Sequence, residues 1–254
     1  MKKVQSLGNS SYSISHKSVL IKKDRERVGG QLVAILQDHF GKKSFKNLKT
    51  LDVGCSGGTI TNLISNYTGK MVGIDIDEHA IKQASLSYGN KKNLSFKHTI
   101  GINIPYTDKS FDLVVCNQVY SYTTKPNGLI SEIYRVLKQG GTCLFTGDNL
   151  LRPIEPLYKL PLIRWLPNRV VKHILKKRGY KNIYIGKYKT YWGLVKMCRI
   201  FTIKDYTTKV LKNPKKYKFS KLYKYEKLLK RTPKPIFKLF EPLFPTFVFI
   251  LEKR

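Results

Sequence analysis

The stretch LDVGCSGGTI, residues 51–60, carries the residues best suited to chemistry. Glycines at 54, 57 and 58 let the backbone approach a ligand with no Cβ in the way. A helix starting behind them would present unpaired N–H groups and partial positive charge. Such a turn can receive a phosphate or a carboxylate. A dinucleotide fingerprint spaces its glycines as G-x-G-x-x-G. Counted from Gly54, it needs glycines where Ser56 and Thr59 stand. Asp52, two residues before Gly54, would repel a pyrophosphate but suits a cationic ammonium group. A second acidic tip follows in MVGIDID, where Asp75 lies 17 residues beyond Gly58. At the end of a strand it can accept hydrogen bonds from both hydroxyls of a ribose. Asp77 reads as the N-cap of the next helix.

The elements that must position these groups alternate. Apolar spacing predicts a helix over 25–40, stopped by Gly41. Strands are expected at 50–53, 71–76, 94–99, 111–116 and 142–147, and helices at 60–66, 78–88 and 129–137, the last ending at Gly140-Gly141. Repeated βα units of this length argue for an α/β fold with a doubly wound parallel sheet. After Asp148 the pattern changes: Pro153, Pro156, Pro161 and Pro167 fall among aromatic and basic residues. Helices are expected at 168–177, with Asn168 as N-cap, at 191–198 and at 220–230. Strands are expected at 201–210 and 246–251.

Lys and Arg number 48 against 16 Asp and Glu, a net charge of +32. The excess is uneven: residues 1–150 hold 20 basic and 11 acidic side chains, residues 151–254 hold 28 and 5. That asymmetry points to an anionic partner, although a Lys-, Asn-, Ile- and Tyr-rich composition also follows from AT-rich coding. The longest apolar run, 247–251, is too short to span a bilayer. The N-terminus has two lysines with no apolar stretch behind them, so no secretory signal is expected. Four cysteines without metal-ligand spacing read as reduced thiols of a cytoplasmic protein.

LDVGCSGGTI, MVGIDID and the run IPYTDKSFDLVVCNQVYSYTTKPNGLISEIYRVLKQGGTCLF together resemble the class I methyltransferases that use S-adenosylmethionine. The type is that of the ubiquinone and menaquinone biosynthesis methyltransferases, and the resemblance covers residues 45–148. It implies a Rossmann-like, mostly parallel seven-stranded sheet with a helical insertion after the fifth strand. The whole chain would be one domain, with a cofactor core at 17–148, a basic aromatic lid at 149–190 and a C-terminal part at 191–254 completing the sheet. By the same resemblance Asp52, Gly54, Ser56 and Gly58 would form the turn at the methionine end of the cofactor. Asp75 would hold the ribose and Ile76 would pack on the adenine. Ile100 and Gly101 would stand at the adenine, where relatives often carry an acidic residue. Asn117 and Gln118 would face the sulfonium. Methyl transfer needs the acceptor held in line, and a neutral hydroxyl acceptor needs a base. Asp148 and His173 are the candidates.

The acceptor is expected to be a small or lipid-linked molecule bearing a quinone, sugar or phosphate. Trp165, Leu166, Val170, Val171, Ile174 and Leu175 amid Arg and Lys suggest an interfacial helix, with peripheral contact to an anionic membrane; the same spacing also fits a lid helix packed on the core. One alternative is an RNA methyltransferase using the Lys- and Tyr-rich segment 213–240. Another is a methyltransferase-like protein without activity.

Overall fold

The computed structural model describes residues 22–41, 43, 45–180 and 183–254. The N-terminal segment read for a secretory signal lies outside the described residues. Seven strands form one sheet: β1 (Phe45–Val53), β2 (Thr68–Asp75), β3 (Leu94–His98), β4 (Phe111–Asn117), β5 (Leu137–Asp148), β8 (Thr202–Asp205) and β9 (Thr246–Glu252). Their order is β3-β2-β1-β4-β5-β9-β8. The first five are parallel, and β9 runs antiparallel to both β5 and β8. Strands β6 (Ile154–Glu155) and β7 (Leu160–Pro161) make a separate two-residue ladder.

Helices cover both faces, as a doubly wound sheet requires. One apolar cluster joins Leu51, Val53, Phe145 and Phe249 to α4 (Pro126–Val136) and α6 (Tyr191–Met197). In α4, Leu129, Ile133 and Val136 recur at helical spacing and are buried. The opposite face packs Leu113, Val115 and Ile250 against α1 (Lys22–Phe40) and α2 (Thr59–Ser65). Gly41, with φ of +61°, follows α1 in the left-handed conformation expected of a helix stop. In α3 (Glu78–Tyr88), the Asp77 carboxylate accepts from the Ala80 N–H at 3.1 Å, so the expected cap is present.

Several sequence expectations differ from the structure. Gly140-Gly141 does not stop a helix; the chain turns straight from α4 into β5 at Leu137, and the glycines sit where the pairing with β4 shifts register. The strand expected over 201–210 ends at Asp205. There the carboxylate accepts the Thr207 N–H at 2.7 Å and turns the chain into α7 (Thr207–Lys212), an aspartate turn hidden among β-branched residues. Asn168 opens α5 (Asn168–Lys177), but Pro167 holds the cap position and no side chain caps it.

The segment after β5 is mixed rather than purely helical. It builds its own small core from Tyr158, Leu160, Ile163, Val171 and Leu175. Val171 and Leu175 seat α5 on that core, the packing expected of a lid helix, while Trp165, Leu166 and Val170 remain exposed. Beyond it come α8 (Glu226–Arg231) and α9 (Lys234–Phe240), preceded by a 3₁₀ turn at Ser220–Tyr225 where a longer helix was expected. Among the described residues no helix is long and apolar enough to cross a membrane.

Candidate cofactor site

Parallel strands β1, β2 and β4 end at one edge of the sheet, and the glycine turn rises from that edge. Gly54 has φ of +75° and donates its N–H to the Ile74 carbonyl at 2.8 Å. A Cβ there would stand 2.5 Å from Val119 Cγ2. Gly58, also at +75°, precedes α2, where a Cβ would fall 2.7 Å from the Phe96 ring. Both positions therefore need glycine for conformation and for space. Gly54→Ala should cost roughly 2–3 kcal/mol, from left-handed backbone and overpacking. Val119→Ala in the same chain should recover part of that loss in denaturant unfolding.

Asp75 ties the turn to β2. Its carboxylate accepts the Ser56 N–H at 2.8 Å and the Asp77 N–H at 2.9 Å. Ser56 sits at φ of +50°, which that bond holds in place. Each Asp75 oxygen keeps lone pairs for a further donor. Burial raises the Asp75 pKa, opposed by these backbone bonds.

Asp52 is buried at the end of β1 and accepts from the Thr61 hydroxyl at 2.6 Å. Burial pushes its pKa up to about 7; Thr61 and Arg25 pull against this, and nearby Asp75 adds to it. Asp52, Gly54, Ser56 and Asn117 line one cleft with Arg25, Gly57 and Thr59.

Other expected positions fall around this cleft. Ile76 is half-buried, and its carbonyl lies 3.2 Å from a His98 ring nitrogen. Ile100 is 87% exposed, and Gly101 beside it has φ of +71°. Gln118, at φ of +61°, donates its backbone N–H to the Thr146 carbonyl at 3.1 Å. The Asn117 amide oxygen accepts from the Thr146 hydroxyl at 2.7 Å.

Neither catalytic candidate is among the residues that line this cleft. Asp148 is buried, and its oxygens meet Arg152 and Arg164, each at 2.8 Å, and the Thr246 hydroxyl at 2.9 Å. Through these bonds it is the ionic anchor of the segment behind β5. His173 lies on the exposed side of α5, opposite the buried Val171 and Leu175.

Sequence reasoning missed Arg25, Thr61 and Val119. Arg25 comes from α1, 27 residues before Asp52, and no local pattern marks it. Thr61 could have been found by setting the second turn of α2 against the end of β1. Val119 is visible only through the gap above Gly54.

The sheet order, the left-handed glycine turn and the two carboxylates ending β1 and β2 make a Rossmann-like domain similar to those of class I methyltransferases. Residues 51–145 match the family model of the methyltransferase domain. The chain is similar to the demethylmenaquinone methyltransferase of Staphylococcus aureus, 31% identical over 122 residues, 45% of this chain and 50% of the relative. It is also similar to a sterol 24-C-methyltransferase of Gibberella zeae, 37% identical over 99 residues, 37% of this chain and 26% of the relative. The chain thus spans half or less of these relatives. In fold it is similar to the YcgJ protein of Bacillus subtilis, with a TM-score of 0.54 at 16% identity over 87% of this chain and 98% of that one.

The cleft fits the cofactor. The methionine end of S-adenosylmethionine carries an ammonium and a carboxylate, and the cleft offers Asp52 and Arg25.

Proposed function

We propose that this chain transfers the methyl group of S-adenosylmethionine to a small apolar or lipid-linked acceptor. The observation that carries the reading is the pairing of a buried carboxylate with a guanidinium in one cleft, Asp52 and Arg25. A pyrophosphate would meet Asp52 as a like charge; an amino-acid zwitterion meets both groups as opposites.

When bound, the cofactor supplies an electrophilic methyl on sulfur. The chain supplies position. Asp52 would hold the ammonium and Arg25 the carboxylate. The two Asp75 oxygens would accept the ribose hydroxyls. Ile76 and the exposed Ile100 would enclose the adenine, whose amine then bonds backbone groups near Gly101. Gly58 keeps the start of α2 open, and Asn117 with Gln118 would fix the approach of the acceptor. An acceptor atom that is electron-rich of itself, such as an ionised ring hydroxyl or an activated carbon, would need no base from the protein. Two relatives named for demethylmenaquinone and sterol methylation support an apolar acceptor.

One observation favours a second reading. Tyr223 and Tyr225 are exposed among lysines, and Lys224 Nζ lies 4.9 Å from the Tyr225 ring centre. Such a surface can stack bases and bind phosphates. Incubation with methyl-labelled S-adenosylmethionine and separated lipid, small-molecule and RNA extracts tests both. Label is expected in the lipid or small-molecule fraction. Label in RNA alone would replace the first reading by the second.

A further inference from the structure

Between Glu155 and Asp205 the chain carries thirteen Lys or Arg and no carboxylate. Within that span several large apolar side chains stand in solvent: Leu162, Trp165, which is 52% exposed, Leu166 and Val170. They are not the stripe that seats α5, because Val171 and Leu175 do that. Leu162 has φ of +56°, a left-handed backbone that a leucine adopts at some cost. The Trp165 indole N–H donates to the Leu150 carbonyl at 3.1 Å, so its polar edge is satisfied by the protein while its ring faces outward. Arg169, Lys172, Lys176 and Lys177 stand exposed along the adjoining helix.

This edge is tied to a second exposed apolar set. The Asn149 amide donates to the carbonyls of Pro242 and Phe244 at 2.7 and 2.9 Å. The exposed Leu243, between Pro242 and Phe244, is thereby held beside Asn149, next in the chain to the Leu150 that Trp165 meets. That stretch directly follows β5, at the sheet edge where β1 and β4 end in the cofactor cleft.

We propose that this edge docks on an anionic lipid bilayer, with Trp165, Leu166 and Val170 entering the interface and the α5 cations meeting lipid headgroups. The charge is complementary: the exposed Arg169, Lys172, Lys176 and Lys177 of α5 would face a negatively charged surface, with no carboxylate in the sequence between Glu155 and Asp205. The apolar side chains decide between two polyanions. A nucleic acid would use the cations but leave exposed leucine and valine in water, whereas a membrane takes both. The proposal does not depend on which acceptor the enzyme methylates, and it is read without cofactor.

Cosedimentation with vesicles tests it, using the full chain, pure phosphatidylcholine, and phosphatidylcholine mixed with phosphatidylglycerol. The expected result is binding to the anionic vesicles, about fivefold tighter for each cation engaged, and little to the neutral ones. Leu166→Glu with Val170→Glu should weaken that binding about tenfold or more. Lys172→Glu with Lys176→Glu, exposed positions outside the cofactor cleft, should do so independently. Both variants should keep the wild-type melting midpoint, which separates lost docking from lost fold. Equal binding to both vesicles, or none, would overturn the proposal. So would tight RNA binding with the apolar variant matching wild type on every surface.

Discussion

Asp52→Asn should make the ligand-free protein more stable at pH 8 and weaken its hold on S-adenosylhomocysteine about a hundredfold. Both effects have one cause. An ordinary aspartate ionises near 3.8, and burial holds Asp52 protonated up to about 7 in the fold. Between those values the unfolded chain carries the charge and the fold does not. The native state then binds more protons than the unfolded one, so stability falls as pH rises from about 4 to about 7 and is flat above. At about 1.4 kcal/mol per pH unit this is roughly 4 kcal/mol. Asparagine removes the titration while its amide oxygen can still accept from Thr61. Urea unfolding at a series of pH values should show the slope in wild type flattened in the variant. Ligand affinity should move the other way. Wild type should bind more tightly as pH rises through about 7 and Asp52 becomes able to meet an ammonium; the variant should show no such rise. A variant that binds as well as wild type would mean that Asp52 does not touch the ligand.

Arg164→Met should destabilise the fold by about 3–5 kcal/mol, the range for breaking a buried ion pair from one side. The Arg164 side chain is 1% exposed. It reaches Asp148 at 2.8 Å, Glu155 at 3.6 Å and the Asn149 carbonyl at 2.8 Å, and it lies 3.6 Å over the Tyr188 ring. Its loss leaves Glu155 buried without its cation. For a chain of this size the melting midpoint should fall by about 10 °C, and salt should not mimic the effect, because buried pairs are weakly screened. Arg152→Ala is the control. That side chain is 29% exposed and meets only one Asp148 oxygen, so it should cost under about 1–2 kcal/mol. Equal losses would show that Asp148 rather than Arg164 is the centre of this anchor.

Residues that act through local spacing were legible before the structure. Gly54, Gly58, Asp52 and Asp75 lie within 24 residues, and each has a role that its neighbours dictate. The parallel sheet was legible for the same reason, since each βα unit declares itself by its own periodicity. What was hidden came from contacts across the sequence. Arg25 enters the cleft from α1, and Asp148 is met by Arg164, sixteen residues on. His173 shares a helix with lid residues, and only the burial of Val171 and Leu175 shows that it faces away. The turn at Asp205 was masked because threonine and valine favour strands by packing rather than by backbone geometry.

Melting curves with S-adenosylhomocysteine test the cofactor site most directly. At a hundredfold excess over its dissociation constant, a ligand adds about 2.7 kcal/mol of stability, worth roughly 5–10 °C in a chain of this size. Wild type should rise by that amount, NADH should leave it unmoved, and Asp75→Ala should abolish most of the rise. No shift at millimolar S-adenosylhomocysteine, or a larger one with NADH, would contradict the assignment of the cleft between Arg25, Asp52 and the glycine turn.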